Sequence, residues 1–221
     1  MSSLQRVVVG GANNTERLAE DWAARGISLT QGYGLTEAAP NVMFLRPEDL
    51  AQHPGAVGRP YSTVDTCIAD PESGLPLAGA ATGELLVSGP SLFAGYLDDE
   101  VATASAMSDG WLRTGDLVHR NEAGIHRVVD RLKNIYVSGG ENVAPAEVEV
   151  ALAEHPLITE VAVVGVPDDV WGERGFAFVV ASQPLTVDEL FAFARTRLAG
   201  FKLPTHVQFV DELPRSTIEK I

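Results

Sequence analysis

One run divides this chain: Asp130-Arg-Leu-Lys-Asn-Ile-Tyr-Val-Ser-Gly-Gly-Glu-Asn-Val-Ala-Pro-Ala-Glu-Val-Glu149. Its charged start leads into Ile135-Tyr136-Val137 and then Ser138-Gly139-Gly140. That order predicts a short buried strand emptying into a loop whose glycines let a backbone or a ligand come close. Pro145 then opens a helix at its first turn, where a missing N–H costs nothing, with Glu147 and Glu149 near the positive end of the helix dipole. Taken alone, the run also fits an ordinary strand-loop-helix connection. The residues on either side read as two different domains.

Leu4 to Val9 is an apolar run ending at Gly10-Gly11-Ala12, which predicts a buried strand and a turn. Leu18, Trp22 and Ala23 then recur at helical spacing, and Gly26 fits the helix stop. Ile27 to Thr30 restarts a strand running into the loop Gln31-Gly-Tyr-Gly-Leu-Thr-Glu37. Strand-helix-strand order implies a parallel α/β sheet, which binds ligands at its strand ends. The Gly-Gly pair is not a GxGxxG, so a dinucleotide site is weakly supported.

From about residue 55 the chain breaks into short pieces divided by Gly and Pro, with strands expected at Val64–Ala69, Gly83–Ser88, Leu117–His119 and Gly124–Asp130. Past the dividing run, Pro145 to His155 reads as a helix, and Ile158–Val166 and Arg174–Ala181 as strands. Thr186-Val-Asp-Glu189 is a capping box opening a helix with Leu190, Phe193 and Ala194 inward, and Val207–Val210 is a last strand. The expected architecture is α/β and α+β. Residues 1–130 form the first part, with an α/β piece over about 1–54 and a β-rich subdomain over about 55–130, and 131–221 form a small α+β domain.

Charge narrows the partners. A net charge of -14 without any basic run argues against nucleic acid and anionic membrane surfaces. No apolar run approaches the roughly 18 residues a membrane span needs. One cysteine, Cys67, cannot form an internal disulfide, and the N-terminus lacks a signal-peptide layout, so a cytoplasmic setting is expected. Of the 16 basic residues only Lys133, Lys202 and Lys220 are lysines, which makes each less ordinary as surface charge.

Four motifs stand in order: Gln31-Gly-Tyr-Gly-Leu-Thr-Glu37, Gly83-Glu-Leu-Leu-Val-Ser-Gly-Pro90, Trp111-Leu-Arg-Thr-Gly-Asp116 and the dividing run itself. Together they resemble the adenylate-forming (AMP-binding) superfamily of acyl-CoA synthetases, 4-coumarate-CoA ligases, peptide-synthetase adenylation domains and beetle luciferases. The chemistry of that family suits the composition. A carboxylate attacking the α-phosphate of ATP is already ionised, so catalysis rests on positioning and charge neutralisation and not on a His or Ser triad. The 5 histidines are scattered without metal-ligand spacing.

The resemblance implies roles residue by residue. Thr36 would touch the α-phosphate and Glu37 would bind Mg²⁺, a hard oxygen ligand for a hard cation. Tyr33 would stack on adenine beside Gly34, with Gly10, Gly11 and Ala12 lining the same pocket. Asp116 would accept both ribose hydroxyls, supported by Arg131. Lys133 matches the hinge between the large domain and its small lid. Ser138, Gly139, Gly140 and Glu141 would line the channel for the pantetheine of CoA. Leu213-Pro-Arg-Ser-Thr-Ile-Glu-Lys-Ile221 places Lys220 on the catalytic lysine, with Glu219 where the family usually has glycine.

The family's upstream phosphate loop has no counterpart here, so the expectation is the C-terminal portion of a larger enzyme. Its partners would be ATP, CoA, a carboxylic acid and the missing N-terminal domain. One reading is an acid-thiol ligase needing that domain for activity. The alternatives are an inactive fragment or a nucleotide-binding or interaction remnant, and an adenylating ligase that does not use CoA.

Overall fold

The strand-helix-strand order expected at the start is present in the computed structural model, which describes residues 3–11 and 16–215. Strand β1 (Arg6–Val9), helix α1 (Glu16–Ala23) and strand β2 (Ser28–Tyr33) follow one another, with β1 and β2 parallel. Two expectations change. Strand β1 alternates between exposed and half-buried positions, and Val8 is 58% exposed, because within the described residues β1 pairs along β2 only. Helix α1 turns Ala19 into the core and leaves Leu18 exposed.

The chain divides by its packing into two units, Met1–Val128 and Val129–Ile221. In the first, β2 continues through Gln31-Gly32-Tyr33, residues expected in a loop. Gly32 and Tyr33 pair antiparallel with β3 (Met43–Phe44), which keeps their backbone extended. Short helix α2 (Pro47–Leu50) leads to β4 (Arg59–Pro60), so the sheet order is β1-β2-β3-β4 and only the β1–β2 pair is parallel.

A second sheet holds β5 (Asp65–Ala69), β6 (Ala81–Ser88), β7 (Met107–Ser108) and β8 (Trp111–Arg120), in the order β5-β6-β8-β7, with β9 (His126–Arg131) also on β8. Helix α3 (Glu100–Ala106) begins at Asp99, whose side chain accepts from the Ala102 N–H. Strand β8 starts six residues earlier than the Leu117 expected from sequence, so the Thr-Gly-Asp motif lies inside it. Val42, Met43, Ile68, Leu85, Val87, Leu112 and Val118 share one core across both sheets. Each buried aliphatic side chain there contributes roughly 1.5–3 kcal/mol.

The second unit contains β10 (Tyr136–Ser138), β11 (Glu141–Val143), helix α4 (Pro145–Ala153), β12 (Ile158–Asp168), β13 (Gly172–Ala181), helix α5 (Val187–Ala194) and β14 (His206–Phe209). Strands β12 and β13 form a long antiparallel pair, and β14 runs parallel on β13. Val148 and Leu152 of α4 and Leu190 and Ala194 of α5 pack with Tyr136, Val163, Ala177 and Val179 of the sheet. The capping box at Thr186 and Glu189 is formed. Phe193, expected inward, is half-buried instead, its ring edge-on to His155 and under the Arg197 guanidinium at 3.6 Å from the ring centroid. No described helix is long and apolar enough to cross a membrane.

Candidate functional site

The C-terminal ends of β1 and β2 lie side by side, since Val9 stands opposite Gln31. Gly10 and Gly11 leave β1 there, exposed, and a Cβ on Gly10 would stand 3.5 Å from the Gly32 carbonyl oxygen. Tyr33 ends β2 on the same edge. Its hydroxyl donates to Oδ2 of Asp116 at 2.5 Å, joining residues 83 positions apart. Gly34 follows where the chain folds back on itself. A Cβ at Gly34 would fall 1.3 Å from the Pro40 carbonyl oxygen, so no other residue fits this return.

Asp116 is 4% exposed and held by its own strand. Glu84 stands opposite Leu117 and Leu86 opposite Arg113, so the residues between them on β8 bulge out against Leu85. Side chains stabilise that bulge. Thr114 Oγ1 donates to the Leu85 carbonyl at 2.8 Å and accepts from the Asp116 N–H at 3.1 Å. Glu84, 3% exposed, accepts from the Gly115 N–H at 3.2 Å through Oε1 and from the Arg113 guanidinium at 2.5 and 3.1 Å through Oε2. A bulge re-aims the side chain beside it, and here that side chain is the carboxylate of Asp116.

Thr36 and Glu37 sit on a single 3-10 turn, Thr36–Ala38, with Thr36 exposed and Glu37 half-buried. Glu37 is held twice by the stretch after β6. Its backbone carbonyl accepts from the Phe93 N–H at 2.8 Å, and its Oε1 accepts from the Tyr96 hydroxyl at 2.9 Å. The bond to Glu37, more than burial, pushes the Tyr96 phenol up from its ordinary pKa. Sequence reading missed Tyr96 and Glu84. Glu84 did leave a signal, an acid flanked by apolar residues inside a predicted strand. Tyr96 left none.

Within the second unit, Asp130 is 7% exposed and fully engaged. Oδ1 accepts from the Arg131 N–H at 2.6 Å and Asn134 Nδ2 at 3.0 Å, and Oδ2 accepts from the Ala146 N–H at 2.9 Å. Helix α4 has no side-chain cap from its N-cap residue Ala144, so Asp130 serves as its cap from a distance. Arg131 and Lys133 are exposed, Lys133 on the 3-10 turn Leu132–Asn134.

The glycines expected in an open loop instead make a tight turn. Gly139 and Gly140, with φ of 62° and 87°, link β10 to β11, where Ser138 pairs with Glu141. A two-residue hairpin turn matching the strand twist needs positive φ at both central positions, which Gly-Gly supplies. Trp171 packs on this turn. Its carbonyl accepts from the Gly139 N–H at 2.8 Å, and a Cβ on Gly139 would meet the indole at 2.4 Å. Gly139, Gly140 and Glu141 are exposed, whereas Ser138 is fully buried and its Oγ has no partner among the described residues. Val137 is 44% exposed, so the strand is buried on one face only. Tyr136 lies on that buried face, and desolvation drives its phenol up to about 12.

Ala12, Glu219 and Lys220 lie outside the described residues. No group of three or more His, Cys, Asp or Glu among the described residues could hold a metal. A cleft of about 350 Å³ between α1, the start of β2 and α2 contains none of the expected site residues.

The sequence pattern described as AMP-binding enzyme matches residues 1–97, and that of the AMP-binding enzyme C-terminal domain matches residues 147–220. A feruloyl-CoA synthase from an Amycolatopsis species is 44% identical over 100% of this chain, which covers 45% of that protein. Among solved structures, o-succinylbenzoate CoA synthetase (MenE) from Bacillus subtilis, in complex with the acyl-adenylate intermediate OSB-AMP, superposes with a TM-score of 0.93 at 32% identity, over 100% of this chain and 45% of that one. The same enzyme is also solved with ATP and magnesium ion. The amide bond synthetase McbA from Marinactinospora thermotolerans superposes with a TM-score of 0.89 at 38% identity, over 99% of this chain and 46% of that one. The chain thus spans a little under half the length of each of these relatives.

Proposed function

The chain belongs to the AMP-binding enzyme family, and from that premise we propose that it supplies the nucleotide-side and lid parts of an AMP-forming acid-thiol ligase. In the first half-reaction a carboxylate oxygen attacks the α-phosphorus of ATP, forming acyl-AMP and releasing pyrophosphate. In the second, the CoA thiolate attacks the acyl carbon and AMP leaves. Both steps use nucleophiles that are already anionic or readily deprotonated, so the protein's task is to orient and to neutralise charge.

The observation that supports this most is the bond between Tyr33 and Asp116. It puts an aromatic face and a carboxylate side by side at the strand ends where α/β sheets take nucleotides. A carboxylate can accept from several donors at once, the Tyr33 hydroxyl among them, which is the chemistry a ribose diol needs. In this reading Tyr33 stacks on adenine, Gly10, Gly11, Ala12 and Gly34 line the pocket, Asp116 binds the ribose with Arg131 in support, and Thr36 touches the α-phosphate. Lys133 is the hinge, Lys220 contacts the carboxylate and α-phosphate, and Gly139, Gly140 and Glu141 face pantetheine beside the buried Ser138.

Glu37 is the residue for magnesium. A single half-buried carboxylate, without a larger cluster among the described residues, fits an ion that arrives on ATP and keeps most of its water and phosphate oxygens. Bound there, Mg²⁺ would neutralise phosphate charge. A cytoplasmic setting, where ATP and CoA are available, suits this role.

The 38% identity to an amide bond synthetase favours a second acceptor, an amine in place of CoA. The deciding measurements are AMP binding by calorimetry and ATP-pyrophosphate exchange over a panel of aryl and fatty acids, with the chain alone and with the N-terminal half of a relative added. Nucleotide binding by the chain and exchange only with the added half are expected. Sustained exchange by the chain alone would remove the remnant alternative outright. Absence of nucleotide binding in every format would overturn the proposal. Product analysis with CoA or a primary amine then separates the two acceptors.

A further inference from the structure

The stretch after β6 reaches back and grips Glu37 at two points, and only one grip is needed to hold the loop. Phe93 donates its backbone N–H to the Glu37 carbonyl at 2.8 Å. The loop's far end is pinned separately, because the Tyr96 N–H donates to Thr103 Oγ1 at 2.9 Å and that hydroxyl donates to the Asp99 carbonyl at 2.8 Å. The Tyr96 ring also lies edge-on to Phe93, with centroids 4.9 Å apart. Loop position is therefore fixed without the phenol hydroxyl. What the hydroxyl adds is a donor at 2.9 Å on Oε1 of Glu37, and Tyr96 is the one side chain among the described residues that hydrogen-bonds Glu37.

We propose that Tyr96 is a positioning residue: it fixes the Glu37 carboxylate by occupying one oxygen, so that the other is presented to a divalent cation carried by the nucleotide. A carboxylate on a flexible side chain loses rotamer freedom when it takes up a cation. A phenol donor removes that freedom beforehand and keeps one oxygen from chelating, which favours the single-oxygen contact Mg²⁺ makes. The inference rests on the reading of Glu37 as the magnesium residue.

The test uses the purified chain and a Tyr96→Phe variant, which keeps the ring and its contact with Phe93. Two titrations are read by calorimetry: AMP in the presence of EDTA, and ATP across a series of free Mg²⁺ concentrations. The proposal expects AMP affinity to stay within about twofold, while the Mg²⁺ concentration giving half-maximal ATP binding rises about tenfold, the usual scale for loss of a partner behind a metal ligand. In a Glu37→Gln background the Tyr96→Phe change should add nothing further, as a double-mutant cycle requires of two residues acting through one contact. Equal weakening of AMP and ATP would make Tyr96 merely structural and overturn the inference, as would an unmoved Mg²⁺ dependence. If Glu37→Gln leaves the Mg²⁺ dependence intact, the reading of Glu37 falls and takes this inference with it. If the unaltered chain binds neither nucleotide, the nucleotide site itself falls.

Discussion

The hydroxyl of Tyr33 donates to the buried carboxylate of Asp116, so one strand end of the first sheet is tied to the middle of a strand in the second. Tyr33→Phe removes a donor from a nearly buried acceptor, which costs about 1–3 kcal/mol. Urea denaturation of the first unit should show that loss. Asp116→Asn keeps the shape but gives up the charge, and AMP affinity should fall about tenfold or more, in line with the 1.5–3 kcal/mol of a charge-assisted bond. Unchanged affinity in the Asn variant would remove Asp116 from the ribose site.

Glu84 stabilises the bulge that aims Asp116, with Arg113 as its counter-ion. Removing Arg113 leaves an acid that is 3% exposed without its cation, whereas removing Glu84 leaves a cation that water can reach. Arg113→Ala should therefore be at least as damaging as Glu84→Ala, despite Arg113 being the more exposed partner. Both should cost about 1–3 kcal/mol, discounted for the solvent around Arg113. Denaturation midpoints of the two variants, compared side by side, check the order.

Asp130 caps α4 in place of Ala144. Asp130→Ala should destabilise the second unit by about 1–2 kcal/mol, the scale of a lost N-cap. Asp130→Asn should recover part of this, because an amide oxygen still accepts from the Ala146 N–H. Amide exchange at Ala146 reads the cap directly, and it should speed up in the Ala variant and much less in the Asn variant.

A half-buried carboxylate and a buried imidazole give the units opposite pH responses. Burial raises the pKa of Glu149, partly offset by the bond its Oε1 accepts from the Val163 N–H at 2.8 Å. The native state then holds more protons than the unfolded chain just above the ordinary carboxylate value, so stability of the second unit falls as pH rises through that window. Glu149→Gln keeps an acceptor for Val163 and should flatten the curve there. His126 is lowered by burial, so the native first unit holds fewer protons than the unfolded chain and its stability falls as pH drops below the ordinary histidine value. Denaturation midpoints measured across pH for each unit check these slopes, and a Glu149→Gln curve as steep as the original would decide against this assignment.

Local patterns in the sequence carried the order of elements well. Period and turn residues were enough for α1, α4, the strands β12 and β13 and the capping box at Thr186. They failed where pairing with a distant partner overrides composition. Gly32 beside Tyr33 looks like loop until Met43 and Phe44 arrive to pair with it. Thr114-Gly115-Asp116 looks like a turn before a strand, yet Glu84 and Leu85 draw it into one as a bulge. The Gly139-Gly140 pair, expected in a loop that lets a backbone or a ligand come close, serves a tight hairpin on which Trp171 packs. For the site, motif resemblance supplied Tyr33, Glu37 and Asp116 individually. Their partnerships join residues 83 and 59 positions apart, and no periodicity encodes such contacts.

The three bonds on Asp130 also bear on how the chain could swivel. On the proposal that Lys133 is a hinge, any turn there that moved Asn134 and Ala146 relative to Asp130 would break two charge-assisted bonds worth about 1.5–3 kcal/mol each in full strength. A joint built this way is not a loose tether. If Lys133 is the proposed hinge, the joint would act as a detent, with a preferred stop to be clicked out of before any turn, and the depth of that notch is written in one aspartate.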